Sequence, residues 1–122
     1  VIKIMTRKGI PITNSNILIL GITFKENCPD IRNTKVIDIY KELITYGLNI
    51  DVNDPWANKN DVMNEYGIKL TETLNLEKYQ AIILAVSHKE YTHLNLGKLN
   101  KSNVVVFDTK SILEKELVDG RL

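Results

Sequence analysis

Cysteine occurs once in the 122 residues, at Cys28, so neither an internal disulfide nor a cysteine-rich metal site can form, a usage that fits a reducing compartment. Long hydrophobic runs are missing as well. None approaches the ~18 residues of a membrane span, and the first residues lack the charge, apolar stretch and small-residue cleavage site of a secretory signal. A cytoplasmic protein with no membrane partner is expected. An excess of one charge is absent: 16 Lys and Arg against 15 Asp and Glu leave a formal net charge of +1, which argues against a nucleic-acid partner. Glycine is sparse, with six in all, and nowhere takes the three-glycine spacing of a dinucleotide fingerprint. The two histidines, His88 and His93, stand without a neighbouring carboxylate pattern, so no metal site is expected.

What is present reads as one soluble globular domain, with 43% hydrophobic and 25% charged residues. Four short apolar segments, "NILILG" (16–21), "LNIDVND" (48–54), "QAIILAV" (80–86) and "NVVVFD" (103–108), are rich in β-branched residues and bounded by turn formers. The near-continuous apolar character of the first, third and fourth predicts strands buried on both faces, the condition of a parallel sheet. Between the first two, Val36, Ile39, Tyr40 and Leu43 form an amphipathic helical stripe, with Gly47 placed to end it. A second helix is predicted from about Lys59 to Tyr66, stopped by Gly67, and "GIKL" after it reads as a brief edge strand. Shorter helical pieces are expected near "LNLEKY", "HKEYTHL" and "SILEKELV". This alternation predicts an α/β fold: a Rossmann-like, doubly wound parallel sheet in three layers. The opening "VIKIMTRKGIPITNS" reads as a helix tail followed by a linker.

Such sheets collect ligands at the carboxyl ends of their strands, where the loop after the first strand leads onto a helix N-terminus. Here that loop is "GITFKENCPDIRNTK" (21–35). Thr23, Phe24 and Lys25 occupy the space that further glycines would leave for a pyrophosphate, so side chains must carry more of the binding. Lys25, Arg32 and Lys35 approach the start of the helix, where cations oppose the macrodipole unless an anion is bound; the alternative is that they are solvated or paired with Glu26 and Asp30. Phe24 is either core or the floor of a site for a base or sugar. Asp54 sits where an acidic residue often binds a ribose hydroxyl, but Asp-Pro is also a common turn pair, and the turn is favoured. His88 lies at another strand's carboxyl end. Cys28 precedes a proline in a loop and shows no partner base, so it is not read as a nucleophile.

Taken together, "ILILGITFKENCPDIRNTKVIDI", "DVNDPW", "AVSHKEY" and "VVVFDTKSIL" closely resemble the C-terminal, UDP-sugar-binding domain of the UDP-glucose/GDP-mannose dehydrogenase family over nearly the whole chain. The "G-x-x-F-K" segment followed by "D-x-R" is its most specific part. "FKENCPDIRNT" and "SHKEY" are most similar to the branch that oxidises UDP-N-acetylglucosamine or UDP-N-acetylgalactosamine for capsule, Vi antigen or O-antigen polysaccharide. The resemblance implies that residues 1–14 are the end of an interdomain helix and a linker, and that 15–122 are the nucleotide-sugar-binding domain. It implies a homo-oligomeric parent enzyme in which NAD is bound mainly by an N-terminal domain, joined to this one through a central helical domain. Phe24, Lys25 and Lys110 would contact the UDP-sugar substrate, and Arg32 would reach the cofactor side. Many members carry Asp-Gly-Arg where this chain has Asp108-Thr109-Lys110; Lys110 keeps the charge but not the bidentate fork.

The family's chemistry is a two-step oxidation of a sugar C6 alcohol to a carboxylate through a cysteine thioester. Its "G-G-S-C-F-P-K-D" type motif does not occur here, so no catalytic residue is assigned to this chain and the fragment alone is expected to be inactive. The other readings are a domain acting on UDP-glucose or GDP-mannose, and a stand-alone nucleotide-binding module.

Overall fold

The computed structural model describes residues 1–100 and 102–121. Five parallel strands form one sheet: β1 (Asn16–Leu20), β2 (Asn49–Asn53), β3 (Ala81–Leu84), β4 (Val105–Asp108) and β5 (Gly120–Arg121), in the order β2-β1-β3-β4-β5. The register pairs Leu20 with Asn53 on one side and with Leu84 on the other, so the carboxyl ends of β2, β1 and β3 finish level. β1 and β3 are central and buried on both faces, as their unbroken apolar runs predict, whereas the edge strand β2 is buried only toward its end.

Period-2 alternation sorts the strand residues into two cores. Ile17, Ile19, Ala81, Ile83 and Val105 face one side, together with Met5 of α1 (Ile2–Arg7), Val36, Ile37 and Leu43 of α2 (Val36–Ile44) and Val62 of α3 (Lys59–Tyr66). Leu18, Leu20, Ile82, Leu84 and Val106 face the other, covered by Leu76, Tyr79, Tyr91, Leu96 and Leu99. This gives the three-layer, doubly wound α/β fold expected from the sequence, with regular helices on one face and short turns on the other. The turns are single 3-10 turns at Leu76–Lys78, Lys89–His93, Leu96–Lys98 and Lys115–Leu117. Three of them fall on the expected helical pieces.

The second helix spans the predicted residues. Asn58 accepts from Asn60 N and Asp61 N at its start, and Gly67, at φ +70°, ends it in the left-handed region that glycine tolerates. In α2, Ile37 is buried while Ile39 and Tyr40 are only partly so, a rotation of the expected stripe that turns Ile39 toward the sheet's carboxyl end. "GIKL" is not a strand. Ile68 and Leu70 enter the core, and the backbone bond from Thr71 N to Val52 O (2.7 Å) follows the segment without forming a ladder. β5, two residues long, is too short to show a period; the carboxylate and N–H of Asp119 secure it by bonds to Val106 N (2.8 Å) and Val106 O (2.7 Å).

Candidate functional site

Strand order reverses at β1: the chain leaves toward β2 on one side, and from β3, on the other side, it continues away to β4. Loops above such a reversal diverge and open a crevice. A cleft of about 340 Å³ lies there, lined by Thr23 and Phe24 after β1, Val86 after β3, Thr109 and Lys110 after β4, and Thr34 and Lys35 at the start of α2. Three larger hollows lie elsewhere: one of about 580 Å³ at the amino ends of the strands, one of about 580 Å³ between α1 and α2 that borders the cleft at Ile39 and Thr109, and one of about 390 Å³ beside Arg32.

The residues singled out in the sequence divide around this cleft. Phe24 is 58% exposed, so it belongs to the surface and not to the core, and Lys110 stands opposite it on the other wall. Lys25 is exposed on the same loop as Phe24 but is not part of the cleft wall. Arg32 lies apart, beside a shallower hollow shared with Asp61 and Glu65. Its guanidinium holds Asp30 through Nε (3.0 Å) and Nη2 (3.2 Å), and this hydrogen bond lowers the Asp30 carboxyl below its ordinary value. The pairing of these two was one of the two readings left open by their spacing.

Beneath the β1 loop lies a buried polar cluster. Asp54, at the end of β2, accepts Ile22 N (2.7 Å) and Thr23 N (3.1 Å) on Oδ2, and Trp56 N (2.7 Å) and Ala57 N (3.0 Å) on Oδ1. The last two bonds make the turn expected of Asp-Pro. His88 places Nε2 2.9 Å from Asp54 Oδ2 and 3.0 Å from Thr23 Oγ1, and its Nδ1 accepts Asn27 N at 2.9 Å. Both side chains are wholly buried. Burial works to raise the Asp54 carboxyl, but the hydrogen bond with His88 and those from Ile22 and Trp56 N–H outweigh it and leave the group lowered. Trp56 stacks on the imidazole at 6.2 Å and donates Nε1–H to Glu90 (2.9 Å), closing the outer side.

Asp54 therefore points into the protein, and a ribose in the cleft cannot reach its oxygens. Cys28 is half-buried, and both nitrogens of His88 are already engaged. The Asp54–His88 pair escapes sequence reading because its members stand 34 residues apart. A signal was nonetheless available: β2 and β3 flank β1, so residues just past their carboxyl ends converge under the β1 loop.

Gly21 settles whether the loop could cradle a dinucleotide. At φ +99° it is in a region L-residues rarely adopt, and a Cβ there would come 2.5 Å from the Cβ of Val86. Its missing side chain makes room for the β3 loop and not for a ligand. Thr23 and Phe24 fill the neighbouring space, so these residues do not fit an NAD pyrophosphate.

The family model described as "UDP-glucose/GDP-mannose dehydrogenase family, UDP binding domain" matches residues 18–115. A UDP-N-acetyl-D-glucosamine 6-dehydrogenase from Pseudomonas aeruginosa is 44% identical across 99% of this chain and 29% of its own length. Protein CapL from Staphylococcus aureus is 42% identical across 95% of this chain and 28% of its own length. Among solved structures, an NDP-N-acetyl-D-galactosaminuronic acid dehydrogenase from Methanosarcina mazei Go1 shares the fold at a TM-score of 0.82 and 20% identity, over 98% of this chain and 27% of that one. The chain thus spans less than a third of the length of the curated relatives it matches.

Proposed function

The chain belongs to the UDP-glucose/GDP-mannose dehydrogenase family, as its UDP binding domain, and from that premise we propose that it holds the nucleotide sugar for an NAD-dependent UDP-N-acetylhexosamine 6-dehydrogenase of surface-polysaccharide synthesis. The observation that carries the reading is the cleft at the strand-order reversal, with an exposed aromatic ring on one wall and cations on the others. Phe24 offers a face for the uracil or sugar. Lys110 and Lys35, at the head of α2, supply positive charge for a diphosphate, reinforced by the helix N-terminus. Lys25, exposed beside Phe24, takes the remaining substrate contact, and Arg32 serves the cofactor side by exchanging Asp30 for a phosphate.

The hydride acceptor and the nucleophile belong to parts of the parent outside this chain. When bound there, NAD would supply the oxidant; the residues here orient the sugar nucleotide toward it. Residues 1–14 carry the end of the helix leading in from the central domain. The 44% identity to a UDP-N-acetyl-D-glucosamine 6-dehydrogenase favours a hexosamine substrate over UDP-glucose or GDP-mannose. No helix among the described residues is long and apolar enough to cross a membrane.

Titration of the chain with UDP, followed by amide NMR, tests the reading. UDP and UDP-N-acetylglucosamine should perturb Phe24, Lys35 and Lys110, GDP should bind more weakly, and NAD with either sugar nucleotide should yield no NADH. Binding of UDP at one of the larger hollows instead of the cleft, or NADH formation by the pure chain, would remove the assignment.

A further inference from the structure

We propose that His88 is the positioning residue of this site: as a neutral imidazole with its proton on Nε2, it clamps the arch Thr23–Asn27 and thereby aims Phe24 and Lys25 at the nucleotide. The inference rests on the reading of the cleft as a UDP-sugar site.

The hydrogen-bond partners determine the tautomer. Nδ1 faces a backbone N–H, that of Asn27, and must present a lone pair. Nε2 faces the Asp54 carboxylate, which can only accept, and so carries the proton. The Thr23 hydroxyl, also near Nε2, sends its own proton to Lys25 O (2.9 Å), so a lone pair faces the ring. The opposite tautomer would set N–H against N–H at Asn27 and a lone pair against a carboxylate, inside a site closed to water.

The clamp's two ends bracket the residues proposed to bind. Thr23 is tied to Asp54 and His88; Asn27, at φ +53°, is held by His88 through its N–H and by Lys89 N through its Oδ1 (2.9 Å). Between these anchors Phe24, Lys25 and Glu26 are all exposed. An aromatic ring kept in water contributes little to folding, yet this one is carried on a short arch pinned from below. Pinning spares a ligand the entropy of ordering the loop, which is how preorganisation raises affinity. The family resemblance pointed to Phe24 and Lys25; the clamp below them is assigned by the geometry alone.

Imidazole ¹⁵N NMR of the 122-residue chain should show His88 protonated at Nε2 and bare at Nδ1, with slow amide exchange at Asn27. His88→Phe keeps the ring volume without either bond; in the folded protein it should bind UDP about tenfold more weakly. His88→Gln, which restores a donor and an acceptor, should recover most of that loss. Asn27→Ala lies outside the cleft and leaves the buried pair intact, so it remains informative if His88→Phe does not fold; it should cost UDP affinity about fivefold. An Nδ1–H tautomer, or wild-type affinity in the folded variants, overturns the positioning role. Failure of the unaltered chain to bind UDP, with the Nε2–H tautomer intact, overturns instead the reading of the cleft on which the ligand half rests.

Discussion

Two strands of this sheet lead into a buried aspartate, β4 with its last residue and β2 with the residue after it, and the two carboxylates do different jobs. Asp108, closing β4, accepts Lys110 N (2.8 Å) and Ser111 N (2.9 Å) on one oxygen and Leu113 N (2.8 Å) on the other, all within five residues of itself. It shapes its own loop. Asp54, closing β2, spends one oxygen the same way, on Trp56 and Ala57, and the other on Ile22, Thr23 and His88, which lie more than 30 residues away. Asp108 is thus a local cap that orients Lys110, whereas Asp54 is a cross-link that fastens three strand ends together. A shared residue type near the carboxyl ends of two strands does not imply a shared role; what matters is whether the second oxygen faces the residue's own loop or a neighbour's.

Removing each carboxylate should break that comparison most sharply. Asp54→Ala strands a buried imidazole and two distant N–H groups, and loss of one member of a buried pair costs about 3–5 kcal/mol. Asp108→Ala leaves N–H groups that a loop at the surface can turn toward water, for about 1–3 kcal/mol. Urea unfolding of the two variants measures the difference. Equal losses would mean that the Asp54–His88 link adds nothing beyond the local turn.

Acid should find the cross-link next. The Asp54 carboxyl is depressed in the fold, so as pH falls the unfolded chain takes up this proton first. Its stabilisation is therefore complete above the unfolded value, ordinarily 3.8, and is lost as pH drops through the lower folded value. Unfolding midpoints of the parent should fall over that window, while Asp54→Asn, already weaker at neutral pH, should show a shallower decline. A parallel decline in both would assign the acid sensitivity to other carboxylates.

The same contrast explains what the sequence made legible. Strand count among the long strands, parallel order, the limits of α3 and the turn after Asp54 are all local: continuous apolar runs, a 3.6-residue stripe, Asn58 and Gly67 at the ends of a helix, Asp before Pro. The exposure of Phe24 and the pairing of Asp54 with His88 depend on which strands neighbour β1, a fact carried by no short window. β5 and the segment around Ile68 were hidden for a related reason, since two residues show no period and "GIKL" buries Ile68 and Leu70 without completing a ladder. The resemblance supplied Phe24, Lys25 and Lys110 by motif, and of these Phe24 and Lys110 line the cleft.

Lys110 offers a smaller and more specific test, because Asp108 fixes its backbone and leaves its side chain free to be changed. Lys110→Ala should weaken UDP binding about tenfold through the loss of one charge-assisted contact. Lys110→Arg, which introduces the fork that the resemblance associates with this position, should tighten it about two- to threefold if a diphosphate oxygen pair is within reach. Calorimetric titration of both variants would show it. Unchanged affinity in Lys110→Ala would place the phosphates nearer Lys35.

The smallest effect belongs to Cys28, one residue beyond the arch that His88 clamps. A catalytic thiol needs a base or a cation positioned to hold the thiolate, and the imidazole beneath the loop gives Nδ1 to Asn27 and Nε2 to Asp54. The thiol is half-buried, so a hydroxyl of similar size can replace it without opening a cavity. Cys28→Ser should therefore change stability by less than about 0.5 kcal/mol and leave UDP affinity in place. In the parent enzyme, uronic acid formation should stay within about threefold through both oxidation steps, the range of a substitution away from the chemistry. Loss of turnover by several orders of magnitude, with UDP binding intact, would show that the nucleophile lies on this loop. The clamp would then be holding the cysteine along with the ring of Phe24.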